Sequence, residues 1–253
     1  MTKTIVITGA TDGIGLLTAK MLAAQDHRLV LHGRNEAKLD AAAAEIGGAV
    51  LTCKADLSSL TQTAALAEEI QAKVEHVDVL INNAGVFKVG DPILPDGQDM
   101  RFVVNTFAPY LLTTALLPMI PADGRIINLS SAAQAPVSIA AMQGHERLGD
   151  MDAYAQSKRA ITLWSQDMAR THLDGPVVIA VNPGSLLASK MVQEGFGVAG
   201  KDLSIGADIL CRLALEDRFA GDSGKYWDND AGQFAPIDPS QADAVTTAIR
   251  ELI

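Results

Sequence analysis

Residues 4–15 read Thr4-Ile-Val-Ile-Thr8-Gly9-Ala-Thr11-Asp12-Gly13-Ile14-Gly15. The run Thr4 to Thr8 is β-branched throughout and reads as a buried strand. Glycines follow at 9, 13 and 15, and a helical pattern then begins, with Ile14, Leu17 and Met21 on one face. Between a strand and a helix, glycines allow a tight turn, let backbone approach a pyrophosphate, and let the helix pack close to the sheet. The free N–H groups and positive end of the helix dipole then face the phosphates. The spacing is G-x-x-x-G-x-G, not G-x-G-x-x-G, so it is the position of these glycines that points to a nucleotide.

The same alternation continues outward. Arg28 to His32 predicts a second strand, ending in Gly33-Arg34-Asn35. Asn35 suits the N-cap of a helix running to Glu45 and stopped by Gly47-Gly48. The end of that strand is where a dinucleotide's adenosine ribose lies. A carboxylate there would bond a free 2′-hydroxyl and repel a 2′-phosphate; Arg34 favours the phosphorylated cofactor, or is simply a solvated arginine. Ala49 to Lys54 predicts a third strand, followed by Asp56-Leu57, and Ser59 with Gln62 has the form of a capping box for the next helix. Asp78 to Ile81 predicts a fourth strand, ending in Asn82-Asn83-Ala84-Gly85. Small and amide residues there suit a ligand crevice or a plain turn. Gln98 to Leu117 predicts a long helix, with Asn105 set among apolar residues. A buried amide needs partners, so Asn105 is either a satisfied structural residue or part of a site.

Arg125 to Leu129 predicts a fifth strand, ending in Ser130-Ser131. Next, with 22 residues between Ser131 and Tyr154, comes Asp152-Ala-Tyr154-Ala-Gln-Ser-Lys158-Arg-Ala160, which opens a helix with Ile161, Trp164 and Met168 at helical spacing. Residues four apart share a helix face, so Tyr154 and Lys158 point into one space. A free phenol titrates near about 10, and making it a base at pH 7 needs roughly 4 kcal/mol. One ammonium at about 4 Å in a partly screened site supplies on the order of that amount. Val177 to Val181 predicts a sixth strand, ending in Asn182-Pro183-Gly184. The segment beyond, with Leu186, Leu187, Met191, Val192, Phe196 and Val198, is a lid or a plain connection. A helix over Ser204 to Glu216, a strand at Gly224 to Trp227, and a terminal helix capped by Asp238 with Pro239 in its first turn complete the chain.

This βαβα order predicts a single α/β domain over residues 1–253, a doubly wound, Rossmann-like parallel sheet of about seven strands. Ligands bind at the carboxyl ends of such strands, where Gly9, Arg34, Asn83, Ser131 and Gly184 all fall. The 253 residues are 48% hydrophobic, enough for one sizeable core. A net charge of −10 disfavours nucleic acid or an anionic membrane as partner. Cys53 and Cys211 show no paired spacing, and the five histidines form no ligand cluster, so a reducing cytoplasm and no metal are expected. Apolar stretches such as Leu111 to Ile120 are too short to span a bilayer. The N-terminus enters a strand at once, without the pattern of a signal peptide.

Taken together, these motifs resemble the short-chain dehydrogenase/reductase family over essentially the whole chain. The glycine turn, Asn82-Asn83-Ala84-Gly85, Asn105, Ser131, Tyr154-x-x-x-Lys158 and Pro183-Gly184 match it in order. The resemblance implies that Tyr154 is the general acid/base, that Lys158 lowers its pKa and binds the nicotinamide ribose, and that Ser131 bonds the substrate carbonyl. It implies that Asn105 holds a water linking Lys158 to solvent. Gly9, Thr11, Asp12, Gly13, Ile14 and Gly15 would form the cofactor turn, with Arg34 and Asn35 at the adenosine end. Asp56 and Leu57 would contact adenine, Asn83, Ala84 and Gly85 the ribose, and Pro183, Gly184 and Leu186 the nicotinamide. The Ser131–Tyr154 insert and the Gly-Lys-Tyr-Trp segment look like the subgroup of retinol dehydrogenases and protochlorophyllide reductases. Where the family places a threonine after Pro-Gly, this chain has Ala188, with Ser189 beside it.

The expected activity is interconversion of an alcohol and a carbonyl on a small, largely apolar substrate, with NADP(H) rather than NAD. The rival is a non-catalytic NADP-binding regulator on the same fold. A serine hydrolase is disfavoured because no G-x-S-x-G elbow is present. Family analogy implies a homodimer or homotetramer through the helices starting near Gln98 and Asp152.

Overall fold

The computed structural model describes every residue except Ala49, with the side chains of Glu194 and Phe196 also outside the description. The expected strand start at Ala49 and the apolar contribution of Phe196 therefore lie outside the described residues. In chain order the elements are β1 (Thr4–Ile7), α1 (Gly13–Ala23), β2 (Arg28–Gly33), α2 (Glu36–Ile46), β3 (Val50–Lys54), α3 (Leu60–Lys73) and β4 (Val79–Asn82). Then come α4 (Met100–Phe102), a π turn (Val103–Phe107), α5 (Ala108–Leu116), β5 (Arg125–Leu129), α6 (Ile139–Met142) and α7 (Asp150–Thr171). The chain closes with β6 (Val177–Asn182), α8 (Lys190–Phe196), α9 (Ser204–Leu215), β7 (Tyr226–Asp228), β8 (Gln233–Ala235) and α10 (Ala242–Leu252).

The strands form one sheet in the order β3-β2-β1-β4-β5-β6-β7-β8. Strands alternate side chains between faces, and the core divides accordingly. Val6, Val30, Leu80, Ile126 and Val178 face one layer, with α3, α5, α7 and α10 residues. Ile5, Ile7, Leu29, Leu31, Ile81 and Ile179 face the other, with α1 and α9 residues. Both faces are covered, which explains why the strands read as continuous apolar runs. The reversal of order between β1 and β4 places a crevice at the carboxyl edge, beside the glycine turn.

The structure departs from expectation in several local places. The sheet gains an eighth strand: β8 pairs antiparallel with β7, held by an edge-to-face cluster of Phe219, Trp227 and Phe234. Ser59 caps α3, but Gln62 bonds the N–H of Asp56 instead of closing a capping box. The expected helix from Gln98 is broken by the π turn, whose residues are all buried. Met100–Met119 is long and apolar enough to cross a membrane by length and composition, but two thirds of it is buried inside the fold, as a core helix would be. Residues 190–196, expected as lid or connection, are helical, with Ser189 as N-cap. Asp238 does not cap α10; its carboxylate accepts from Ser240 in the turn before it, and Gln241 takes the N-cap position.

One packing feature bears on assembly. The helix α10 packs on α7 and α5: Arg250 donates to the Tyr110 hydroxyl at 2.9 Å and Arg170 pairs with Asp243 at 3.0 Å. From Ala153 to Ala169 no residue of α7 is exposed. The chain's own C-terminal helix thus packs on α7, one of the two helices through which pairing was expected. Burial pushes the Cys53 thiol up to about 11 and the Cys211 thiol up to about 12, so both behave as small core hydrophobes.

Candidate active site

Tyr154 and Lys158 share one face of α7, as their spacing predicts. An acidic first turn (Asp150, Asp152) complements the dipole at the start of this helix. The same end is tied down by buried Arg101, which bonds Asp99 twice and Asp150 once. Lys158 is only 3% exposed; its ammonium donates to the Leu129 carbonyl at 2.7 Å and stands 5.8 Å from the centroid of the Tyr154 ring. Ser131, just past the end of β5, lies beside the Tyr154 phenol and favours its ionised form. The phenol, ammonium and serine hydroxyl thus meet in one partly buried space. Phe87 closes it with a tilted ring contact to Tyr154 at 5.1 Å.

Electrostatics refine the expected role of Lys158. Burial pulls its own pKa down to about 8, because an ammonium loses hydration there. Burial also pushes the Tyr154 phenol up, while Ser131 pulls it down. In the chain alone, Tyr154 is therefore held above the ordinary phenol value rather than below it.

Asn105 sits in the π turn and is fully buried. Its Oδ1 accepts from the Val86 N–H at 2.8 Å, and its Nδ2 donates to the Val86 carbonyl and to Ser157 Oγ, each at 2.9 Å. Both amide protons are spent on protein. Asn105 clamps the segment after β4 peptide-fashion. That clamp serves the site: a Cβ on Gly85 would lie 3.3 Å from both Asn105 Oδ1 and Lys158 Nζ, so only glycine leaves this approach open.

The glycine turn is built to receive backbone-bound phosphate. Gly9 is left-handed (φ +64°), and a Cβ there would come within 2.9 Å of Ala84. A Cβ on Gly15 would lie 2.4 Å from the Gly9 carbonyl and Asn83 Nδ2, so α1 starts pressed against the turn. Gly13 is different: a Cβ there meets nothing nearer than Ser189 at 3.9 Å. That is a cradle in front of the helix N-terminus, and it fits a dinucleotide pyrophosphate. Asp12 caps α1 through Gly13 N–H, and the Thr11 methyl lies against Gly33. Ile14 packs toward Gly206 of α9. Asn83 donates to the Thr8 and Gly9 carbonyls at 2.8 and 3.0 Å, and Ala84 N–H donates to Thr8.

At the adenosine end, exposed Arg34 makes no hydrogen bond or ion pair among the described residues. Asn35 is used as the N-cap of α2. Asp56 accepts from Ser58 N–H and hydroxyl. The Leu57 side chain is in the core, 5% exposed, so any adenine contact there falls to its backbone. At the other end, Pro183 and Gly184 are held from behind. Asn229 donates to the Pro183 carbonyl at 3.0 Å, and Asp230 accepts from Ser185 N–H and hydroxyl and from Asn182. Leu186 is left-handed (φ +55°) and half-exposed, an uncommon state for a leucine. Ser189 spends its hydroxyl on the Val192 N–H as the cap of α8.

Sequence reasoning missed two residues at this edge. His32, buried in β2, accepts the Gly9 N–H on Nδ1 at 3.3 Å and bonds the Ala55 carbonyl through Nε2 at 3.0 Å. Tyr226 of β7 donates to the Ser131 carbonyl at 2.9 Å. A polar residue inside an apolar strand was the only available signal for either. A groove of about 630 Å³ at the opposite edge, lined by Arg125 and Gln166, holds none of the candidate residues.

Comparison with known proteins agrees with this geometry. The profile of the short chain dehydrogenase family matches residues 3–196. Retinol dehydrogenase 13 from Homo sapiens is 33% identical, over 96% of this chain and 81% of its own. An uncharacterized protein from Mycobacterium paratuberculosis superposes with a TM-score of 0.82 at 27% identity, covering 99% of this chain and 92% of its own. A short chain dehydrogenase from Escherichia coli CFT073, crystallised with NADPH, gives 0.74 at 27% identity, covering 90% and 96%.

Proposed function

This chain belongs to the short-chain dehydrogenase family, and from that premise we propose that it is an NADP(H)-dependent oxidoreductase interconverting an alcohol and a carbonyl on a small, largely apolar substrate. The observation that carries the reading is the meeting of Tyr154, Ser131 and Lys158 beside the glycine cradle. The preference for the phosphorylated cofactor rests on the uncommitted Arg34 where a carboxylate would mark NAD. The apolar substrate rests on Phe87 and on Met191, whose methyl approaches Gly85.

In reduction, Ser131 and Tyr154 hold the carbonyl oxygen, and Tyr154 gives it a proton as charge develops there. Lys158 then stands beside the phenolate and stabilises it. In oxidation Tyr154 takes the proton back. When bound, the nicotinamide supplies or accepts the hydride. Pro183 to Ser185, held by Asn229 and Asp230, and Gly85 would line its pocket. The two buried thiols suit the reducing cytoplasm we propose for the protein.

The test is turnover of all-trans-retinal, shorter aldehydes and ketones, and the matching alcohols, with both cofactors. We expect NADPH-dependent reduction of at least one apolar carbonyl. Tyr154→Phe should lower it by about 10³-fold or more while leaving the NADPH dissociation constant within a few-fold. Retained turnover in that variant removes the mechanism. Cofactor binding without turnover on any member of the panel would favour the non-catalytic regulator.

A further inference from the structure

The strand β7 contributes a hydroxyl to the site from an unexpected direction. Tyr226 pairs in register with Ala180 of β6, two strands away from β5, where Ser131 follows the strand end. Its ring is 6% exposed, and its hydroxyl crosses to the Ser131 carbonyl at 2.9 Å. Gln134 Nε2 donates to the same carbonyl at 2.9 Å. The two donors converge on one carbonyl and fix the main chain of Ser131. On its other side Ser131 Oγ accepts the Ala133 N–H at 3.1 Å and meets the phenol of Tyr154.

We propose that Tyr226 is a positioning residue: with Gln134 it holds the Ser131 backbone so that the serine hydroxyl is directed at Tyr154 and the reacting oxygen. This rests on the catalytic reading above. Ser131 begins a segment of 22 residues running to Tyr154, and a strand end entering so long a segment needs an anchor to be held precisely. Displacing a reacting group by about 1 Å can cost on the order of 10²-fold in rate. Tyr226 is suited to be a permanent donor. Burial and the carboxylates of Asp228 and Asp230 push its ionisation well above the ordinary tyrosine value, so it keeps its proton at neutral pH.

The proposal links Tyr226 to the ionisation of Tyr154. The groups facing Tyr154 are Lys158 on its own helix, Ser131 past β5, and Tyr226 on β7. Beyond the Phe87 ring stands Lys88, 5.9 Å from its centroid. Of these, Ser131 favours the phenolate, and a misdirected serine loses that effect. Tyr226→Phe keeps the ring and should lower kcat by roughly tenfold, with the NADPH dissociation constant unchanged. The pH profile of alcohol oxidation should move to higher pH. A readout independent of turnover is ultraviolet titration of phenolate in the cofactor-free protein, which has three tyrosines. Subtracting a Tyr154→Phe partner in each background isolates Tyr154, whose midpoint should rise by about half a unit or more in Tyr226→Phe. Gln134→Leu should act in the same direction, and the double variant should lose less than the product of the two single losses.

An unmoved Tyr154 midpoint, or a rate loss accompanied by an equal loss of NADPH affinity, overturns the proposal. So does wild-type kcat in Tyr226→Phe. If Tyr154→Phe is itself fully active, the catalytic reading fails instead, and the two failures are told apart.

Discussion

Lys158, which the proposed chemistry requires, is costly to bury. Lys158 is buried with its ammonium facing one carbonyl, and its pKa falls from 10.5 to about 8. Between those values the unfolded chain binds a proton that the folded chain releases, so stability rises with pH across that window and is lowest below about 8. Lys158→Met removes the buried charge and keeps the volume. It should stabilise the protein by on the order of 2 kcal/mol at pH 7, the pKa shift less the lost bond to Leu129. Turnover should be abolished, and the rise in melting temperature from pH 8 to 10.5 should flatten. Thermal melts across that range decide it; a destabilised Lys158→Met with the slope intact would show that the ammonium is better compensated than its surroundings suggest.

At the scale of the element, the turn between β1 and α1 is held by a side chain in β2. His32 takes the Gly9 N–H on Nδ1, which needs the neutral ring with its proton on Nε2 facing the Ala55 carbonyl. Burial lowers its pKa below 6.5, against the pull of Asp56 and Glu69. The unfolded chain therefore gains a proton first as pH falls below 6.5, and stability drops from there downward. Protonation also turns the acceptor for Gly9 into a donor, so NADPH should bind more weakly at pH 5.5 than at 7.5. His32→Gln, which cannot charge, should lose much of both dependences; calorimetric binding at the two pH values would show it, and an unchanged slope would absolve His32. The glycine turn itself was plain in the sequence, because Gly9, Gly13 and Gly15 sit between a strand and a helix. Its latch was not, since His32 in β2 reads as one polar residue in an apolar run and its partners come from β1 and β3. The same divide runs through the site. Tyr154 and Lys158 are local, four residues apart, and were legible. Asn105 was legible as a buried amide, but not the π turn that aims it at Val86, nor Tyr226, which meets Ser131 across 95 positions. Spacing fixes what lies on one face of one element; it is silent on which strand end a distant hydroxyl reaches.

At the scale of the whole molecule, α10 decides what α7 can touch. Its buried residues Ala242, Val245, Ala248 and Ile249 recur at helical spacing, and its net is drawn tight by Arg250 to Tyr110, Arg170 to Asp243, and Arg159 to the Asp238 carbonyl. Just before it, Gln241 bonds both the N–H and the carbonyl of Val137 at 2.9 Å, as a β-ladder would. Under this cover Trp164 is fully buried and Met168 nearly so. A second copy pairing through α7 would have to displace α10 and break these bonds, and two chains of net charge −10 repel at long range. We therefore expect a monomer of 26.6 kDa by sedimentation at micromolar concentration and physiological salt. Cutting the chain after Asp238 uncovers the apolar strip of Tyr110, Trp164 and Met168. Such a strip on a soluble protein drives association, so the shortened chain should self-associate where the full chain does not. A full-length dimer whose contacts map to α7 would show that α10 yields to a partner; a dimer through any other surface would leave the cover in place and move the interface elsewhere.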